Sequence, residues 1–95
     1  MPGKKPLEWS PLSRRHIKNI QDYIAANNPA AAGAVIAEIK ETAESLMRFP
    51  MLGHPGRRVG TRELVLARYP YTLIYRLTPQ KIGIVAVLKQ SKRWK

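Results

Sequence analysis

The 95-residue chain has no cysteine, so it can build neither a disulfide framework nor a thiolate metal site. Only two histidines are present, His16 and His54. They lie far apart, with no carboxylate at ligand spacing, and read as a partly buried helix residue and a loop residue. Nothing in the pattern calls for a metal or a cofactor. No run approaches the roughly 20 apolar residues that a spanning helix needs. The basic opening Met1-Pro2-Gly3-Lys4-Lys5-Pro6 has no apolar stretch behind it, so no secretory signal is visible and a cytoplasmic protein is expected. Repeats and low-complexity linkers are also missing.

Acidic residues are scarce, and their scarcity is uneven. There are 17 Lys and Arg against 6 Asp and Glu, a net charge of +11. Up to Met47 six basic residues face five acidic ones, whereas from Arg48 onward eleven basic residues accompany Glu63 alone. A field of one sign on one half predicts a polyanionic partner, either nucleic acid or an acidic protein segment. The length suits one domain with a single core. Residues 1–5 read as a tail and 6–95 as the domain.

Local signals order the elements. Pro6-Leu7-Glu8-Trp9 reads as a short edge strand. Ser10-Pro11 is a helix start, with Ser10 as cap and Pro11 at the first helical position. Leu12, Ile17, Ile20 and Ile24 recur at helical spacing until Asn27-Asn28-Pro29, which repeats the device. Ala32, Val35, Ile36, Ile39, Ala43, Leu46 and Met47 form the apolar face of a second helix, with Glu38, Glu41 and Glu44 on or near its opposite side. So short a link makes the helices an antiparallel hairpin, and their stripes need a sheet to lie on. After Phe49-Pro50, residues 51–60 form a glycine-rich loop.

Two strands then meet at Pro70, which cannot sit inside a central ladder. Arg62, Leu64, Leu66 and Arg68 alternate with Glu63, Val65 and Ala67. In the second strand Tyr71, Leu73, Tyr75 and Leu77 alternate with Thr72, Ile74 and Arg76. Thr78-Pro79-Gln80-Lys81 is a turn, and Ile82–Leu88 is nearly all apolar, as for an interior strand. The expected class is α+β, in the order β-α-α-β-β-β.

The glycine loop leads into a strand and lacks a Gly-Lys-Ser/Thr ending, so it is not a phosphate loop. No Ser-His-Asp or Cys-His set can be assembled. What remains is the basic cluster. In a meander, Arg62, Arg76 and Lys89 are candidates to converge on one side of the sheet and cradle a phosphate. Tyr71, Tyr75 and Trp94 are either stacking platforms or packing residues. Cleaving RNA through its 2′-OH also needs a base and an acid. The C-terminal half offers only Glu63, His54, tyrosines or a lysine with depressed pKa.

Trp9-Ser10-Pro11, Asp22-Tyr23-Ile24, Asn28-Pro29-Ala30-Ala31, Phe49-Pro50, Gly53 with Pro55-Gly56-Arg57, Gly60-Thr61-Arg62-Glu63-Leu64-Val65, Pro70-Tyr71 with Tyr75-Arg76, and Arg93-Trp94 together resemble the RelE/ParE family of toxins of type II toxin–antitoxin systems, most closely the ParE-like branch. The family fold is a helical hairpin on a small antiparallel sheet. The resemblance implies a bacterial growth inhibitor neutralised by an antitoxin with an acidic, helical C-terminal segment. ParE-like members poison DNA gyrase; RelE-like members cut mRNA in the ribosomal A site, using basic residues and often a C-terminal Tyr or His. Here Lys89 stands where many relatives have His, and no tyrosine follows Tyr75. For a ribonuclease the catalytic candidates are Arg57, Arg62, Arg76, Lys89 and Arg93. For binding antitoxin or target they are Arg57, Arg58, Arg62, Arg68, Arg76, Lys89, Lys92, Arg93 and Trp94. A non-toxic basic nucleic-acid-binding module is the remaining alternative.

Overall fold

The computed structural model describes residues 5–90. Its elements are β1 (Leu7–Trp9), α1 (Pro11–Ala25), α2 (Pro29–Ser45), β2 (His54–Pro55), β3 (Arg62–Val65), β4 (Tyr71–Leu77) and β5 (Ile82–Lys89). Both helix starts form as the cap-then-proline pairs require. The Ser10 hydroxyl accepts from the Ser13 N–H at 3.0 Å and the Asn28 side chain accepts from the Ala31 N–H at 3.1 Å. Each cap satisfies a donor that the first helical turn leaves without a partner.

The strands make one sheet in the order β1-β5-β4-β3-β2. The antiparallel pattern expected holds from β2 to β5, but β1 runs parallel to β5, so the sheet is mixed. β2 lies within the stretch read as loop. β3 is shorter than its alternation suggests, because Leu66–Pro70 leave the ladder to make the corner before β4. The helical hairpin covers one face. Val35, Ile39, Ala43 and Leu46 of the second helical segment bury against Leu73, Tyr75, Ile82 and Ile84.

β1 ends at Trp9, opposite Ile84, and leaves the rest of that side of β5 without a strand. The start of α1 takes its place. The Ser10 N–H donates to the Ile84 carbonyl at 3.0 Å and the Ser10 hydroxyl to the Val85 carbonyl at 2.8 Å. The Val87 N–H donates to His16 Nδ1 at 3.1 Å. A ring nitrogen that accepts carries no proton, so the His16 proton sits on Nε2. Replacing His16 with alanine removes this acceptor and is expected to lower stability by about 1–2 kcal/mol. Chemical denaturation of the full chain measures the loss, and amide exchange at Val87 locates it.

Glu38 is a second departure. It was expected near the solvent side of α2, yet it is only 8% exposed. Its carboxylate accepts from the Arg68 N–H at 3.0 Å and from Arg68 Nε at 2.9 Å, pinning the β3–β4 corner onto α2. Among the described residues no helix is long and apolar enough to cross a membrane.

Candidate functional site

Side chains alternate across a strand, so the face away from the helices carries Glu63 and Val65 from β3 and Thr72, Ile74 and Arg76 from β4. What β5 adds depends on a bulge. Ile74 pairs with Ala86 and Tyr75 with Ile84, which leaves Val85 as the extra residue. An inserted residue reverses the facing of everything after it. Leu88 therefore joins the open face opposite Thr72, while Lys89 comes to lie opposite Tyr71 on the helix side. Lys89 Nζ stands 5.9 Å from the centre of the Tyr23 ring of α1.

The open face holds a depression of about 390 Å³. Val65, Thr72, Ile74 and Leu88 line it, with His54, Arg57, Glu63 and Lys89 around them. Glu63 is 6% exposed. Its carboxylate accepts from the Arg57 N–H at 3.2 Å and lies 3.9 Å from the Arg57 guanidinium.

The expected convergence of Arg62, Arg76 and Lys89 does not form. Arg62 is paired with Tyr75 and so faces the helix side, whereas Arg76, next along β4, faces away. Lys89 is opposite Tyr71, four residues or about 13 Å along the strand from Tyr75. The Arg62 guanidinium donates to the Gly53 carbonyl and, at 3.3 Å, to the Met51 carbonyl, tying down the loop after α2. Its Nε is buried without a hydrogen-bond partner. Arg68 is engaged with Glu38. Arg58 and Arg76 are exposed, and among the described residues no acidic side chain pairs with either. Lys92, Arg93 and Trp94 lie outside the described residues.

Tyr71 and Tyr75 are packing residues. Tyr75 is fully buried; its hydroxyl donates to the Pro50 carbonyl at 2.8 Å and accepts from the Gly53 N–H at 2.9 Å. Tyr71 is 6% exposed, and burial, followed by the nearby Tyr23, pushes its phenol above the ordinary range. Neither offers a ring face to a base. On the far side of the sheet, Lys81 pairs with Glu8. That hydrogen bond and charge hold the exposed Glu8 carboxyl below the usual carboxylate range.

Sequence reasoning missed the roles of Leu88 and Glu38. Leu88 reached the open face through a bulge that no local pattern marks. Glu38 found its cation 30 residues away.

The model of the ParE toxin of the type II toxin–antitoxin system parDE matches residues 7–94. Over 92 residues the chain is 35% identical to Y4kP of Sinorhizobium fredii (strain NBRC 101917 / NGR234), a protein described as a candidate toxin, covering 97% of this chain and 95% of that one. Among solved structures, the chromosomal ParDE toxin–antitoxin system from P. aeruginosa is similar with a TM-score of 0.85. Identity there is 22%, over 93% of this chain and 98% of that one. The RelBE2 toxin–antitoxin complex from Mycobacterium tuberculosis is similar with a TM-score of 0.62 and 25% identity, over 92% of this chain and 99% of that one.

Proposed function

Because this chain belongs to the ParE toxins of type II toxin–antitoxin systems, we propose that it arrests bacterial growth by poisoning DNA gyrase. One observation carries the choice over mRNA cleavage. At the centre of the open face, Val65, Thr72, Ile74 and Leu88 carry no ionisable side chain, while His54, Glu63 and Lys89 also line the depression. In-line attack by a 2′-OH needs a base and an acid within hydrogen-bond reach of one phosphate. Arg76 and Lys89, the catalytic candidates on β4 and β5, stand far apart along the strands: Arg76 pairs with Gly83, whereas Lys89 pairs with Tyr71, five residues away on β4. The remaining acid–base pair on this face, His54 and Glu63, sits at the edge, with Glu63 held by Arg57.

An apolar floor with cations at its margin suits a protein segment better. On this reading the open face receives the antitoxin, whose apolar side chains cover Ile74 and Leu88 while acidic ones meet Arg57, Arg58 and Arg76. Arg62 and Arg68 support that surface from within, through the loop and the corner they hold. The toxin acts in the cytoplasm, where gyrase and antitoxin are found.

Purified toxin incubated with gyrase, supercoiled plasmid and ATP is expected to accumulate linear, protein-linked DNA. Growth arrest without linear DNA would transfer the target to the ribosome, with Arg57 and Arg76 as the first residues to substitute. Normal growth on induction without antitoxin would remove both targets.

A further inference from the structure

The loop from Arg57 to Gly60, between β2 and β3, is fixed from inside. The Gly56 N–H donates to the Thr61 carbonyl at 2.8 Å, and the Thr61 N–H and hydroxyl donate to the Arg58 carbonyl at 3.1 and 2.7 Å. The Arg57 N–H is held by Glu63. Gly60 takes a φ of 83°, which side-chain-bearing residues rarely adopt, and a Cβ there would stand 3.1 Å from Arg76 Nη1. The Arg76 guanidinium therefore lies against the loop. Against this internal order, Val59 at the tip is 97% exposed. A valine that packs on nothing, held out on a hydrogen-bonded loop between Arg58 and the glycine that backs Arg76, has no role in the core.

We propose that this tip is a contact for duplex DNA, with Arg58 and Arg76 on backbone phosphates and Val59 entering the adjoining minor groove. Guanidinium groups match phosphate oxygens in a bidentate fork. Apolar side chains inserted at base steps are a recurrent device of minor-groove contacts. A protein interface has a contiguous apolar core, whereas this tip offers one apolar side chain among cations. A B-form minor groove, about 6 Å wide, has walls for a single valine. The wide, shallow minor groove of A-form RNA does not. The contact does not depend on gyrase as the target, and it is measured without gyrase.

The test is fluorescence anisotropy of a short labelled DNA duplex titrated with full-length toxin between about 50 and 200 mM salt. Arg58→Ala and Arg76→Ala are each expected to weaken binding about threefold or more and to reduce the salt slope by about one. Val59→Ser is expected to weaken binding by about the same factor with no change of slope, since it displaces no counterion. Arg14→Ala, on exposed α1, serves as the control and leaves both quantities unchanged. Thermal melts of all four variants test the fold, because none of these side chains is buried. Wild-type affinity and slope in the three tip variants would overturn the proposal. So would polyglutamate competing as well as DNA at equal salt, or an RNA duplex showing the same loss on Val59→Ser. An inert tip leaves the gyrase assay untouched, and a negative gyrase assay leaves the tip's DNA contact untouched.

Discussion

Replacing Gly53 with alanine is expected to destabilise the domain by about 3 kcal/mol. The new Cβ would stand 2.6 Å from the Glu63 carbonyl oxygen and 2.7 Å from the Tyr75 hydroxyl. The first obstacle is backbone of β3, and the second is the tip of a fully buried ring that already makes two hydrogen bonds. Neither neighbour can turn aside as an exposed side chain would. The loop must therefore move, and the Tyr75 hydrogen bonds and the Arg62 tie to the Gly53 carbonyl move with it. In a domain of this size the loss corresponds to a fall in melting temperature of roughly 12–24 °C. Circular dichroism of the purified chain measures it. Gly33→Ala is the internal control: nothing lies within 4 Å of its Cβ, and in mid-helix alanine is expected to add up to about 1 kcal/mol.

Tyr75→Phe is expected to cost about 2–3 kcal/mol through the opposite fault, a missing atom. Without the hydroxyl, the buried Gly53 N–H loses its acceptor and the partly buried Pro50 carbonyl loses its donor. The ring itself stays, so packing against Leu73 and Leu46 is retained and the change isolates the polar term. Because Gly53→Ala already disturbs both bonds, the double variant should lose less than the sum of the singles. Thermal or urea unfolding of the three variants gives the coupling. Full additivity would mean that Gly53 and Tyr75 stabilise separate parts of the loop.

Most of the architecture was legible because its signals are local. Ser10-Pro11 and Asn28-Pro29 mark helix starts by their own chemistry, and the apolar stripe of α2 is written at 3.6-residue spacing. Tyr71, Leu73 and Tyr75 declare the buried face of β4 by alternation. What escaped notice depends on partners distant in sequence. Glu38 looks like a solvated helix residue until Arg68 is brought to it. The parallel pairing of β1 with β5 joins residues 75 apart, as Leu7 with Ile82 shows. The bulge at Val85 carries no mark in an all-apolar run, yet it decides that Leu88 and not Lys89 looks out from the open face. Counting alternation from Ile82 places every residue correctly as far as Ile84 and inverts the rest. Arg62, Arg76 and Lys89 do not converge, because Arg62 and Arg76 face opposite ways and Lys89 lies opposite Tyr71, five residues along β4 from Arg76.

Among the described residues β5 is the last element in sequence, but it sits inside the sheet, joining β1 to β4. Until it is synthesised, the first strand has no neighbour and the helical hairpin lacks the surface formed by Ile82, Ile84 and Val87. A chain extending only as far as β4 holds Val35, Ile39, Ala43, Leu46, Leu73 and Tyr75 of the core but lacks the part that β5 supplies. Completion of the core therefore waits on β5, a strand that follows in sequence both of the strands it joins.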